Sequence, residues 1–415
     1  MIRENDMILA KDVYVNMNDF ETRLNNNVLV VGSSGCGKTR SVVSPNILQA
    51  SGSYVISDPK GTLYKKYGKY LASKGYDVKI LDFIHPERSS HYNFFRYIHT
   101  EKDVMQMAHM LTYVMESFSK EPFWDMATEL LLSSLIGLVS FRCKPKEQTL
   151  HNLLKLVNAC QIDENDSGKE NYLDTLMEEE RENHGDSFVY RQYCKFRIAA
   201  GRTLKSILIT VNAKLGQFDY EELNEMLSRD EMDIISLGKS KRAIFVIVSD
   251  TDRSLDPLAN LFYSQVMNKL CQFADDEGRN GRLAVPVRFI LDDFATNCKI
   301  ANFQNMISNI RSRGISAMIM IQAESQLRAA YGEDGRTIAA NCDTYIYMGG
   351  NDIDTAKDVA ARCDLPYRKV LNMPIGTNWI FRRGQEPIYG ENFELENYEK
   401  IRFPKPDKDE LLPAV

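Results

Sequence analysis

The stretch VLVVGSSGCGKTR, residues 28–40, constrains this chain more than any other. A short apolar run leads straight into Gly32-Ser33-Ser34-Gly35-Cys36-Gly37-Lys38-Thr39, which fits G-x-x-x-x-G-K-[ST] between an expected strand and an expected helix. The glycines let successive backbone N–H groups point inward as an anion nest, and the helix start adds the positive end of its dipole. Lys38 would reach the β- and γ-phosphates of a nucleotide such as ATP, and Thr39 would offer its hydroxyl to Mg2+. Gly32 through Thr39, with Arg40 beside them, are the expected nucleotide contacts; Cys36 reads as a small filler.

A loop of this kind needs a parallel sheet to carry it, and the pattern supplies one. Strands are expected at Val28–Val31, Tyr54–Ser57, Val78–Phe83, Ala243–Val248, Arg288–Asp292, Ala317–Ile321 and Thr344–Met348, with helical patterns between them. From about Glu101 to Ile235 the alternation stops and the pattern is helical throughout. The reading is an α/β nucleotide-binding domain of residues 28–100 and 236–400 interrupted by an all-α insertion, 101–235, with a lead-in segment 1–27 and a charged, proline-rich tail 401–415. The acidic run IDENDSGKENYLDTLMEEERENHGD within the insertion reads as a solvated loop and helix face.

Composition narrows the function classes. At 415 residues with 44% hydrophobic and 26% charged residues, the chain has the make-up of a soluble protein with more than one substructure. Its longest apolar stretch, Leu130–Val139, is shorter than the roughly 20 residues that span a bilayer, so no membrane crossing is expected. Eight scattered cysteines without a Cys-x-x-Cys pair fit a reduced compartment without structural zinc. A net charge of −6 excludes a protein that coats nucleic acid with its whole surface.

A phosphate loop also needs a carboxylate from another strand to hold the metal, and VRFILDDFA supplies it. Asp292 would hold Mg2+ through water, and Asp293 would orient or activate the attacking water. The second position is often Glu in such ATPases; Asp is about 1.5 Å shorter. The helical insertion falls between these two motifs.

Taken with VGSSGCGKTR, the segments SYVISDPKGTLYKKYGKYLASKGYDVKILDF, EPFWDMATELLL, FRIAAGRTLKSIL, IFVIVSDTDRSLDPLANLFYSQV, RFILDDFATN and NMISNIRSRGISAMIMIQAESQL make the chain resemble the type IV coupling proteins of conjugation and type IV secretion. The resemblance implies a RecA-like P-loop core with an all-α domain, assembled as a homo-hexamer on DNA, though an isolated chain could be a monomer. It implies ATP and Mg2+ as cofactors, DNA bound without sequence specificity, a relaxase or effector as cargo, and inner-membrane secretion-channel components as partners. Family members usually carry a membrane anchor ahead of the loop; only about 27 residues precede it here. The expected location is therefore the cytoplasmic face of the membrane, through a missing anchor or a partner.

Other residues follow. Asp58, ending a strand, is either a group near the metal or a cap of the next turn. Gln322, ending the Ala317–Ile321 strand, would sense the γ-phosphate or be a buried structural amide. Arg311 or Arg313 would complete a neighbouring subunit's site, or both are surface cations. RQYCKFRIAAGRTLKSILITVNAKL carries six Lys or Arg and no acid. Its Lys195, Arg197, Arg202 and Lys205, with Tyr193 and Phe196 interleaved, would touch DNA or a partner, or pair with the acidic run before them. ATNCKIANFQNM would form a loop facing a ring pore. The functions these features support are a DNA-translocating coupling ATPase, a nucleotide-gated adaptor with little hydrolysis, or a secretion-assembly ATPase acting on protein.

Overall fold

A nine-stranded sheet runs through the molecule. The computed structural model describes residues 2–115, 122–160, 171–198 and 201–398. In chain order the strands are β1 Asp6–Ala10, β2 Val13–Asn16, β3 Val28–Val31, β4 Ser53–Pro59, β5 Asp77–Asp82, β6 Arg242–Val248, β7 Val287–Leu291, β8 Ile315–Ile321, β9 Thr344–Tyr347, β10 Thr377–Arg382 and β11 Ile388–Glu391. Across the sheet the order is β11-β10-β9-β3-β8-β7-β4-β6-β5. From β9 to β5 every pairing is parallel; β10 and β11 add an antiparallel edge.

Because strand side chains alternate, each apolar strand feeds two cores. Val28, Val30, Ile56, Phe245, Ile290, Met318 and Ile346 face one. Leu29, Val31, Val55, Val246, Phe289, Leu291 and Ile319 face the other, and that core continues without a break into the helical region. Helix Glu101–Val114 forms the bridge. A reciprocal cap starts it: Asp103 N–H donates to Thr100 Oγ1 at 3.1 Å, and Thr100 N–H donates to the Asp103 carboxylate at 3.0 Å. It packs on the long helix Asp256–Glu277, where Lys269 pairs with Asp103.

The two halves expected to form one α/β unit do share one sheet, and every strand read from the sequence is present. Two features were missed. Residues of the lead-in form a β1-β2 hairpin whose Asp6–Ala10 strand is buried throughout, and β10 with β11 closes one edge. A third point is a correction: by length and composition the helix Phe123–Arg142 is long and apolar enough to cross a membrane. Counting one apolar stretch overlooked it, because Glu129 and Ser140 bound that stretch within a helix that still averages apolar. Leu131, Leu132, Leu135, Ile136 and Val139 of this helix are buried in the protein core.

Candidate nucleotide-binding site

The phosphate loop leaves β3 at the carboxyl edge of the sheet, where α/β proteins bind ligands. Gly32 N–H donates to Ile321 O at 3.1 Å and Ser33 N–H to Gly349 O at 2.9 Å, so the loop is pinned to the ends of β8 and β9. Gly35 and Gly37 sit at φ +79° and +97°, open to glycine and strained for other residues. At Gly32 the constraint is contact: a Cβ would lie 2.6 Å from Cys36 Sγ, the filler expected there. Lys38 is buried and folds back on the loop, its Nζ donating to Gly32 O at 2.5 Å and Ser33 O at 3.2 Å. The helix after it opens with a wide π-turn, Thr39–Val43, before Ser44–Leu48.

β8 lies between the loop's strand and β7, yet the Thr39 hydroxyl donates to Asp292 Oδ2 at 2.7 Å. Burial pushes the Asp292 carboxyl up, the Thr39 hydrogen bond pulls it down, and the charge of Asp293 pushes it up again. A divalent cation would relieve that cost, so the hydroxyl and carboxylate suit Mg2+. Asp293 takes the left-handed conformation, φ 52°, and opens the short helix Phe294–Asn297. This bend turns the chain out of β7 and leaves Asp293 partly exposed at the carboxyl edge.

Asp58 takes the capping one of its two expected readings. Its buried carboxylate accepts the N–H groups of Leu63 at 2.9 Å and Tyr64 at 2.8 Å, capping helix Thr62–Ser73. Burial nevertheless pushes it up to about 6, with a further push from Asp292. Gln322 leaves β8 between the loop and Asp292 and is exposed, which removes the buried-amide alternative. Arg311 and Arg313 lie ahead of β8, at the opposite, amino edge. Arg313 grips Asp275 through two bonds of 2.8 and 2.7 Å, and Arg311 donates to Asp19 O at 2.8 Å.

The basic stretch needs correcting. Tyr193 and Phe196 are core residues, 3% and 2% exposed, and cannot stack on bases. Residues three apart on helix Phe188–Arg197 share a face, and here that face packs inward. Arg197 Nε lies 2.9 Å from Asp174 of helix Tyr172–His184, the intramolecular pairing kept as an alternative. Lys195 is exposed; Lys205, on helix Gly201–Gly216, is partly buried; Arg202's side chain lies outside the described residues. The 295–306 segment is a further correction to the expected pore loop, because Cys298, Ile300, Ala301 and Phe303 are buried and the Phe303 ring lies against Tyr331. The 401–415 tail lies outside the described residues.

The profile of the family described as "Type IV secretory system Conjugative DNA transfer" matches residues 2–363. The chain belongs to this family. A relative, the conjugal transfer protein TraG of Rhizobium radiobacter, is 23% identical over 81% of the chain, and the chain spans about half, 52%, of that relative's length. Among solved structures, the plasmid coupling protein TrwB in complex with the ATP analogue ADPNP superposes with a TM-score of 0.69 at 16% identity, covering 94% of this chain and 89% of that one. TrwB in complex with ADP and Mg2+ gives 0.66 at 17% identity, covering 94% and 88%. VirB4 of Thermoanaerobacter pseudethanolicus gives 0.58 at 11%, covering 93% and 96%. The fold is thus the RecA-like P-loop fold with an all-α part.

Two side chains at this family member's site escaped the sequence reading. Asn392, just past β11, donates from Nδ2 to Cys36 O at 3.2 Å and is itself held by Asn378 of β10 at 2.9 Å. Glu396 pairs with Arg40. The chain after β11 therefore straps the phosphate loop from outside, more than 350 residues away in sequence, as the separation of 356 for both contacts shows. Lys60, within Asp58-Pro59-Lys60-Gly61, pairs with Asp250 at 2.7 Å and lies in the field of Asp293.

Proposed function

We propose that this chain is an ATP-dependent coupling protein that recruits relaxase-bound DNA to a type IV secretion apparatus and moves it by hydrolysing ATP. The observation that carries the proposal is the Thr39 hydroxyl on Asp292, 2.7 Å apart, beside a glycine loop that holds a buried lysine. Lys38 would exchange its bonds to the loop carbonyls for phosphate oxygens at little reorganisation cost. Thr39 and Asp292 would hold Mg2+, which when bound neutralises charge on the β- and γ-phosphates. Asp293 would accept the proton of the attacking water at its carboxylate, and Gln322 would hydrogen-bond near the γ-phosphate. The nucleotide complexes of TrwB support this assignment of ATP and Mg2+.

The family description supports DNA and secretion-channel partners. A homo-hexamer would let Arg311 or Arg313, at the amino edge, act on the neighbour's phosphates, and the working location is the cytoplasmic face of the membrane. Lys195 and Lys205 are the residues retained for DNA contact. The test is steady-state hydrolysis against protein concentration with and without single-stranded and duplex DNA. A DNA-stimulated rate that rises faster than linearly and disappears in Lys38→Ala supports the motor.

A second reading, a nucleotide-gated adaptor with little hydrolysis, draws on the short Asp293 and on the pairing of both arginines within the chain. A flat, near-background rate with intact ATP binding that rises in Asp293→Glu would favour it.

A further inference from the structure

The amino edge of the sheet holds a cavity of about 290 Å³, on the side of the molecule away from the phosphate loop. Three arginines line it, Arg282, Arg288 and Arg311, and Asp19 is its one lining carboxylate. Asp19 is taken. Arg282 reaches its two oxygens at 2.6 and 3.1 Å, and Arg311 Nε stands 3.6 Å from the same group. Arg288 has no carboxylate partner among the described residues; its guanidinium meets only the sulfur of Met17. Yet Arg288 is 7% exposed, on a central strand, between Tyr54 of β4 and Ser316 of β8.

A buried guanidinium without a counter-charge is costly and rare. The neighbouring position on the same face, Ile290, shows what the strand uses where only packing matters. Burial also drives Arg288 below the ordinary guanidinium value, as expected for a cation without a neutralising partner. Arg282 stacks over the exposed Phe20 ring at 4.9 Å, so one wall of the cavity joins an aromatic face to cationic forks.

We propose that this cavity is an anion-binding site in which Arg288, backed by Arg282, grips a phosphate or carboxylate group of a small ligand whose apolar part lies on Phe20. A planar fork suits an oxyanion, and withdrawal from water strengthens the bond. The site is distinct from the nucleotide loop: β7 carries Arg288 near its amino end, while Asp292 follows its carboxyl end.

The test is equilibrium dialysis of the full chain against labelled inorganic phosphate in chloride at matched ionic strength, with phenyl phosphate and acetate as competitors. Two variants isolate the site: Arg288→Leu removes the fork, and Ser316→Asp supplies a carboxylate from the adjacent strand. Both are expected to weaken one class of phosphate binding at least tenfold while Lys38→Ala leaves that class intact. Ser316→Asp is also expected to raise the melting temperature, because it gives Arg288 its missing partner, and it keeps the test open if Arg288→Leu does not fold. Phenyl phosphate should compete better than phosphate, and Phe20→Ala should erase the difference. Displacement of the labelled phosphate by acetate would extend the site to carboxylates and still support it. Absence of phosphate binding outside the loop, or phosphate binding unchanged in both variants, would overturn the proposal.

Discussion

The two edges of one sheet treat charge in opposite ways. At the carboxyl edge the buried carboxylates, Asp58 and Asp292, are each held by donors: two backbone N–H groups on one, the Thr39 hydroxyl on the other. Lys38 is likewise bound to carbonyls of its own loop. At the amino edge part-exposed Arg282 and Arg311 reach the buried Asp19, while buried Arg288 has no carboxylate partner among the described residues. The contrast teaches that a site built to exchange partners keeps a placeholder on every charge, whereas a fork left without one points to something that must arrive.

The largest expected effect tests the carboxyl edge. Lys38→Ala should lower the hydrolysis rate by about 10^3-fold, as loss of a charge-stabilising donor does, with the melting temperature nearly unchanged. A comparable fall in stability would mean that Lys38 holds the loop together, and the placeholder idea would fail.

Next comes the amino edge. Asp19→Ala leaves Arg282 and Arg311 without their carboxylate and should cost ~3 kcal/mol in urea unfolding, while ATP affinity stays unchanged. Lost ATP binding would show that the two edges are not independent.

A smaller effect concerns pH. Asp58 sits at about 6 in the fold against an ordinary carboxylate value of 3.8, so the native state holds its proton more tightly than the unfolded chain. The stability this supplies is complete below pH ~4 and is lost as pH rises through ~6. Without nucleotide or Mg2+, the native chain should lose ~2 kcal/mol more than Asp58→Asn between pH 4.5 and 7. Parallel pH profiles in the two proteins would refute the burial argument.

The smallest effect sharpens the role of the strap. Asn392→Ala removes the bond to Cys36 O and should weaken nucleotide binding by ~1 kcal/mol, about fivefold, through a looser loop. An unchanged dissociation constant would make Asn392 a packing residue only.

Legibility followed the range of the interactions. The parallel strands stood out because their apolar runs are buried on both faces, and the phosphate loop because its work is done by neighbouring backbone groups. β10 and β11 did not, because their mixed burial at a sheet edge leaves a weak pattern. Tyr193 and Phe196 looked available to bases because composition carries no direction; the packing of their helix turned both inward.

By itself, then, the sequence determined the fold class, the loop, and Thr39 and Asp292 as candidate metal-holding residues, since glycine conformations, a strand end and a carboxylate are local properties. Tertiary structure alone decided which charges meet: Arg197 with Asp174, Asp19 with Arg282, Arg40 with Glu396, and Arg288 with no carboxylate among the described residues. The reason is physical. A counter-ion is chosen by distance in space, at a few ångströms, and chain crossings that bring it there leave no trace in local periodicity.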